Sequence, residues 1–213
     1  MSADPEGFPP AADFVALVAA LCCYWCAVSR ALEAQPWMRR ALGKRDAAPR
    51  QDRARLMIGC AELLLLSGDD ARAEEAFAEG LPILREIGDA FDLANGLLVQ
   101  GAFLNYQGNF AAAESSLNDV LVLAEAIDGA VLRAAITGAA LANLSDSARG
   151  RGDLALATAH GEAALRCHAG WNLDLAEIRV LMDLAGIAKD QGDYRLAVER
   201  YLAGLEPVSY THL

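Results

Sequence analysis

Large and small apolar residues recur at fixed distances from four glycines. Eleven residues before Gly68, Gly108, Gly152 and Gly192 stand Met57, Leu97, Leu141 and Leu181, and seven before them stand Ala61, Gly101, Ser145 and Ala185. Five after each glycine comes an alanine: Ala73, Ala113, Ala157 and Ala197. Nine after stand Phe77, Leu117, Gly161 and Tyr201, three of them bulky; twelve after stand Gly80, Val120, Ala164 and Gly204, mostly small. Large-against-small alternation at helical spacing lets two helices approach and interdigitate. The glycines fall 40, 44 and 40 residues apart. A near-constant period of that size predicts a solenoid, in which each helical hairpin buries its apolar face against its neighbours. Each glycine supplies the left-handed or open backbone that ends a first helix. The Asp or Asn after it caps the second helix. Asp153 and Asp193 fit that role best, and Asp69-Asp70 fills it with a spare carboxylate.

This pattern resembles the tetratricopeptide repeat (TPR). The small residue of the first helix, the Gly-Asp-Tyr-like turn and the small and aromatic positions of the second helix all have counterparts, most fully in Gly192-Asp193-Tyr194, Ala197 and Tyr201. The repeats here are longer than the usual 34 residues or so, and they lack the family's frequent proline after the second helix. Longer helices with a further Gly88-Asp89 turn are similar to the variant in bacterial signal-transduction ATPases and LuxR-type large ATP-binding regulators. The segment from Trp25 to Glu33, a Ser29-Arg30 turn, and Trp37-Met38-Arg39-Arg40-Ala41-Leu42 resemble the way the solenoid of those regulators opens. They add a fifth, divergent hairpin over about Asp13 to Lys44, with Trp25 and Trp37 expected to pack between the first two hairpins. The resemblance implies an ATPase core before the solenoid and a DNA-binding helix-turn-helix after it in the full-length chain.

The expected architecture is therefore all-α: a right-handed superhelical solenoid of about five antiparallel hairpins over residues 13–207. Residues 1–12 read as a disordered segment. The last six, Val208-Ser209-Tyr210-Thr211-His212-Leu213, read as a non-native tail, because they match a translation of GTC TCT TAT ACA CAT CT, a transposon end used in sequencing libraries. The alternative is a native C-terminus, which leaves Tyr201 to Leu205 as a final helix without the polar cap that solenoids need. Pro82 falls inside a helix and is expected to kink it or mark an early bend.

Formal charge is −11, with +2 over residues 1–55 and −13 over the remainder. An acidic body repels phosphate backbones, which argues against nucleic-acid binding by this segment. The basic spot at Arg39, Arg40, Lys44 and Arg45 reads as a solvated helix end. The apolar run Phe14 to Val28 is too short to cross a bilayer, and the acidic stretch before it does not suit a signal peptide. A cytoplasmic location is expected, with no membrane partner. Five cysteines argue mildly against a disulfide framework. Cys22, Cys23 and Cys26 read as helix packing rather than metal ligands.

No catalytic constellation is legible, and no cofactor or metal is expected. His160 and His168 lack a nucleophile partner in sequence, and His168 near a helix end suits the dipole. Gly43-Lys44 lacks the upstream glycine of a phosphate loop. Binding is the better expectation. The first helix of each hairpin would line a concave wall, with positions thirteen, six and three before the turn glycine facing the groove. These are Arg55, Asn95, Ala139 and Arg179; Glu62, Ala102, Asp146 and Gly186; and Leu65, Asn105, Arg149 and Lys189. Tyr106 would also reach in. Asn105, Arg149, Arg179 and Lys189 either hold an extended protein or peptide ligand by its backbone and carboxylates or form the soluble face of amphipathic helices. For the others the soluble face is the reading.

The leading functional expectation is the sensor and interaction region of a LuxR-like regulator, non-catalytic in itself. A stand-alone adaptor, or the accessory repeats of a signalling enzyme such as a nucleotide cyclase or kinase, are the alternatives.

Overall fold

The computed structural model describes residues 9–27, 30–171 and 174–209. Among them are ten α-helices and no strand: α1 (Ala11–Ala27), α2 (Ala31–Leu42), α3 (Arg50–Leu66), α4 (Asp70–Ile87), α5 (Ala90–Tyr106), α6 (Phe110–Ala124), α7 (Ala130–Gly150), α8 (Leu154–His168), α9 (Asp174–Asp190) and α10 (Tyr194–Ser209). A 3-10 turn at Arg45–Ala47 precedes α3. The chain divides into two compact units, Met1–Val99 and Gln100–Leu213, with the boundary inside α5.

The four repeat glycines all sit at helix ends with left-handed backbone, φ running from 73° at Gly68 to 84° at Gly192. Each corner closes in the same way. The residue after the glycine donates its N–H back to the carbonyl five residues earlier: Asp69 to Leu64 at 3.1 Å, Asn109 to Leu104 at 2.8 Å, Asp153 to Ala148 and Asp193 to Ala188 at 2.9 Å. The glycine N–H donates to the carbonyl three earlier. Together these bonds satisfy the orphan carbonyls of the first helix in a Schellman turn. The same Asp or Asn then accepts from the first turn of the second helix. Asp153 and Asp193 do so at 3.0 Å from the Leu156 and Leu196 amides, whereas Asp69 and Asn109 reach only 3.4 Å. Gly88, at φ 75°, ends α4, and Asp89 accepts from the Asp92 amide at 2.9 Å to start α5.

The small positions earn their size from what lies against them. A Cβ at Gly101 would stand 2.7 Å from Leu117, its large partner on α6. Gly161 breaks the bulky series nine residues after the corner because Leu184 of α9 fills its place; a Cβ there would meet Leu184 at 2.6 Å. Ser145 is the one polar residue in the small series. It is buried, and its hydroxyl donates to the Ala157 carbonyl at 2.7 Å, which lifts the cost of burying it.

In the first unit, Phe14, Val15, Val18, Cys22 and Trp25 of α1 pack with Met38 of α2 and with Leu56, Cys60 and Leu63 of α3. Trp25 is buried as expected, but Trp37 is 40% exposed. The Trp37 ring lies 6.3 Å from that of Phe14, so it covers the first hairpin instead of wedging between two. Cys22 is a core residue, while the side chains of Cys23 and Cys26, and Ser29 of the expected turn, lie outside the described residues. Pro82 is carried inside α4, which continues for a further turn to Ile87; Pro36 lies likewise within α2. In the second unit, Ala142, Ala148, Ala157, Ala164, Val180, Leu184 and Ile187 form the core between α7, α8 and α9. The outer face of α10 exposes Tyr194, Val198, Leu202 and Leu205, a row at helical spacing. Among the described residues no helix is long and apolar enough to cross a membrane. Residues 1–8 and 210–213, which take in most of the expected disordered segment and of the expected tail, lie outside the described residues.

Candidate groove in the second unit

All four residues singled out for ligand contact, Asn105, Arg149, Arg179 and Lys189, belong to the second unit, on α5, α7 and α9. Asn105 is fully engaged. Its amide donates to the Asn143 carbonyl at 2.8 Å, and its oxygen accepts from the buried Ser147 hydroxyl at 2.6 Å. It ties α5 to α7 and offers little to a ligand in this arrangement.

Arg149 lies across α9. Its Nε donates to Asp190 Oδ2 at 2.7 Å, and its Nη2 stands 2.7 Å from the same oxygen. Gly186 makes room: a Cβ there would come within 3.0–3.2 Å of the guanidinium. Position six before the turn is thus glycine in this repeat so that an arginine from the neighbouring helix can lie flat on it.

Arg179 is held differently. Its Nη1 lies 3.5 Å from Asp183 Oδ2 and 3.9 Å from Asp146 Oδ2, ion-pair distances without hydrogen bonds. The side chain is 45% exposed, so its planar fork of donors faces the surface largely unengaged. Lys189, nearly three turns further along α9, is exposed and has no ion pair among the described residues.

The two carboxylates beneath Arg179 are crowded. Burial, then the charge of Asp183, pushes the Asp146 carboxyl up to about 6, against the pull of Arg179 and Arg149. Burial likewise raises Asp183, and its buried Oδ2 has no hydrogen-bond partner among the described residues. Such a group binds its proton more tightly folded than unfolded. Its stabilising contribution is full below the ordinary carboxylate range and is lost as pH rises through about 6. At neutral pH the ionised Asp146 is therefore a cost, reduced because the side chain is 36% exposed. Asp146→Asn is expected to raise the melting temperature at pH 7.5 by about 2–4 °C, the shift that about 1 kcal/mol gives in a chain of this size. The gain should vanish by pH 4.5. An equal gain at both values, read by circular dichroism, would remove the carboxylate from the explanation.

Asp183 and Asp190 were not legible as members of this site, and Asp146 reads from sequence as solvated face. A signal for one of them existed. Arg149 and Asp190 stand 41 residues apart, close to one repeat length, and contacts of similar reach join Asn105 with Asn143 across 38 residues and, in the first unit, Arg55 with Asp92 across 37.

No family model and no curated protein matches the chain. Solved structures do. A Rap protein complexed with Competence and Sporulation Factor aligns with a TM-score of 0.82 at 16% identity, over 96% of this chain and 56% of that one. BtubC (BKLC) from P. vanneervenii aligns at 0.70 and 17% identity, over 95% and 83%. A kinesin light chain from Podosopora anserina, with nearly identical TPR-like repeats, aligns at 0.63 and 13% identity, over 96% and 98%. The fold is a TPR-like helical solenoid. The chain spans just over half the length of the Rap protein.

Proposed function

We propose that this chain is a non-catalytic repeat scaffold whose second unit binds an extended peptide or protein segment along α7 and α9, with Arg179 and Lys189 as its principal contacts. One observation carries this reading. Arg179 lies within ion-pair reach of two carboxylates, yet neither takes a hydrogen bond from it, so its donors are left for a ligand. A guanidinium so placed suits a peptide carboxylate or a run of backbone carbonyls. The likeness to a Rap protein solved with a bound factor adds support at the level of fold. Arg149 and Asn105 have the lesser role of holding the wall in shape.

The purified chain should select binders from a displayed library of random dodecapeptides. A selected peptide should bind the Arg179→Ala, Lys189→Ala double variant about tenfold more weakly, the loss of one charge-assisted hydrogen bond or so, with helical circular dichroism unchanged. Equal affinity for both proteins would return these residues to the soluble face.

The finer reading is that the segment is the sensor region of a bacterial, cytoplasmic LuxR-like regulator, passing its bound state to an output domain. It rests on the Trp25–Leu42 and Gly88-Asp89 resemblances. Sequencing the source DNA on both sides tests it: a phosphate-binding loop upstream and a helix-turn-helix downstream are expected, and a stop codon directly after Pro207 would refute it.

A further inference from the structure

The first unit contains a cavity of about 300 Å³ walled by α1, α3, α4 and α5. That is the lower end of the range for small-ligand pockets. Its floor is apolar and made of small residues, Ala16, Ala19 and Gly59 among them, and the Phe91 ring, 38% exposed, forms a wall. Its polar lining is Asp52, Arg55, Asp92 and Asn95.

The polar groups are unequally engaged. Asp92 is buried and satisfied: Arg55 Nε donates to both its oxygens at 2.8 Å and Gln51 Nε2 to one at 2.7 Å. Arg55 is thereby held as a permanent cation, and the Asp92 hydrogen bond, ahead of the nearby carboxylates, strengthens its hold on the proton. Among the described residues Asp52 has only an ion pair to Arg55 Nη1, at 3.5 Å and without a hydrogen bond. The Asn95 side chain makes no hydrogen bond among the described residues. Two carboxylates therefore share one guanidinium, and a third, Asp89, adds its field. The lining is net negative. It presents a carboxylate held only by a long ion pair, and an amide oxygen, above an apolar floor with an aromatic face.

We propose that this cavity binds a primary ammonium group carried on a compact apolar body, such as the free N-terminal residue of a peptide. The ammonium would donate to Asp52 and Asn95 while its body lies on Ala16, Ala19 and Phe91. A carboxylate ligand is disfavoured by the acidic surplus. Phe91 adds cation-π attraction for the same charge. The cavity lies wholly in the first unit, so the proposal stands apart from the peptide reading of the second.

Ligand-observed saturation-transfer NMR on the purified chain tests it, with leucinamide as the probe and N-acetyl-leucinamide and N-acetyl-leucine as comparisons. Leucinamide should bind, and both acetylated compounds should bind at least tenfold more weakly. Asp52→Asn should weaken leucinamide about tenfold, as expected when a charged hydrogen-bond partner is removed. Ala20→Phe, which fills the cavity from its exposed rim, should abolish binding. Asn95→Leu gives a second polar variant should Asp52→Asn fold poorly, and Arg179→Ala should leave leucinamide affinity unchanged. No leucinamide binding, preference for either acetylated compound, or affinity unmoved in the cavity variants would overturn the assignment.

Discussion

Gly59→Ala is expected to lower the melting temperature by roughly 4–8 °C, a large effect for a single methyl group. Gly59 lies in the middle of α3, where glycine costs helix stability, so alanine should gain as much as about 1 kcal/mol from propensity alone. The packing reverses the sign. A Cβ at Gly59 would lie 2.4 Å from Cys22 Cβ and 2.8 Å from its Sγ. The Cys22 Cβ is fixed to the α1 backbone, and no side-chain rotation moves it. The two helices would have to separate, and the core between them, from Val18 to Leu63, would lose its fit. Overpacking of this kind typically costs 1–3 kcal/mol, and a contact this close belongs at or above the upper end. The net loss is then about 2 kcal/mol, which gives the stated shift in a chain of this size. Thermal unfolding followed by circular dichroism measures it. Cys22→Gly in the same chain should recover part of the loss, because it removes the atom struck. A melting temperature at or above that of the parent would show that α1 and α3 are not in close contact at this point.

The corners and the large-small alternation could be read directly because both are local. A Gly-Asp turn is set by backbone conformation and one cap, and a helical face by spacing within about twelve residues. The same reading put Arg149, Arg179 and Lys189 on the first helices of their hairpins, where they lie. It could not say what they touch. Arg149 and Asp190 are about a repeat apart, and their meeting depends on a glycine in α9 that lets the arginine lie flat. Asn105 stands on the expected groove face, three residues before its corner glycine, but spacing along one helix does not show that its partners come from α7. Trp37 shows the same limit. Its place in a resembling motif suggested burial, but Phe14 covers only part of its ring. The cavity of the first unit was missed for a related reason. Arg55 and Asn95 were marked as wall positions, but the Ala16–Ala19 floor comes from α1, whose alanines carry no signal beyond helix packing.

His168 should make the second unit lose stability as pH falls from 7 toward 5, and removing it should flatten that fall. Its place at the end of α8 suits a protonated ring by the helix dipole, yet the fold buries it to 1% exposure. Among the described residues neither ring nitrogen reaches a partner in good hydrogen-bond geometry, the Ala135 carbonyl being near but poorly aligned, and the helix packed against the ring is notched to admit it, since a Cβ at Gly138 of α7 would sit 2.1 Å from Nε2. Burial holds the imidazole's proton affinity below its ordinary value. Glu177 of α9 and the Ala135 carbonyl of α7 pull the other way, and Arg179 of α9 opposes protonation. Below about 6.5 the unfolded chain therefore takes up a proton that the folded chain refuses, so unfolding gains as pH drops. Asp146 acts with the opposite sign in the neighbouring window, because its folded carboxyl gains its proton near 6. The two would partly cancel in the parent protein. The measurement therefore belongs in the Asp146→Asn background, where the fall in melting temperature from pH 7 to 5 should steepen. Adding His168→Leu should remove most of that steepening, at the cost of a lower stability at pH 7. Gly138→Ala should destabilise at all pH values, because its methyl displaces the ring whether or not the ring is charged. An unaltered pH slope after His168→Leu would mean that the ring takes up its proton as readily folded as unfolded, and that the pocket under Gly138 is open to water.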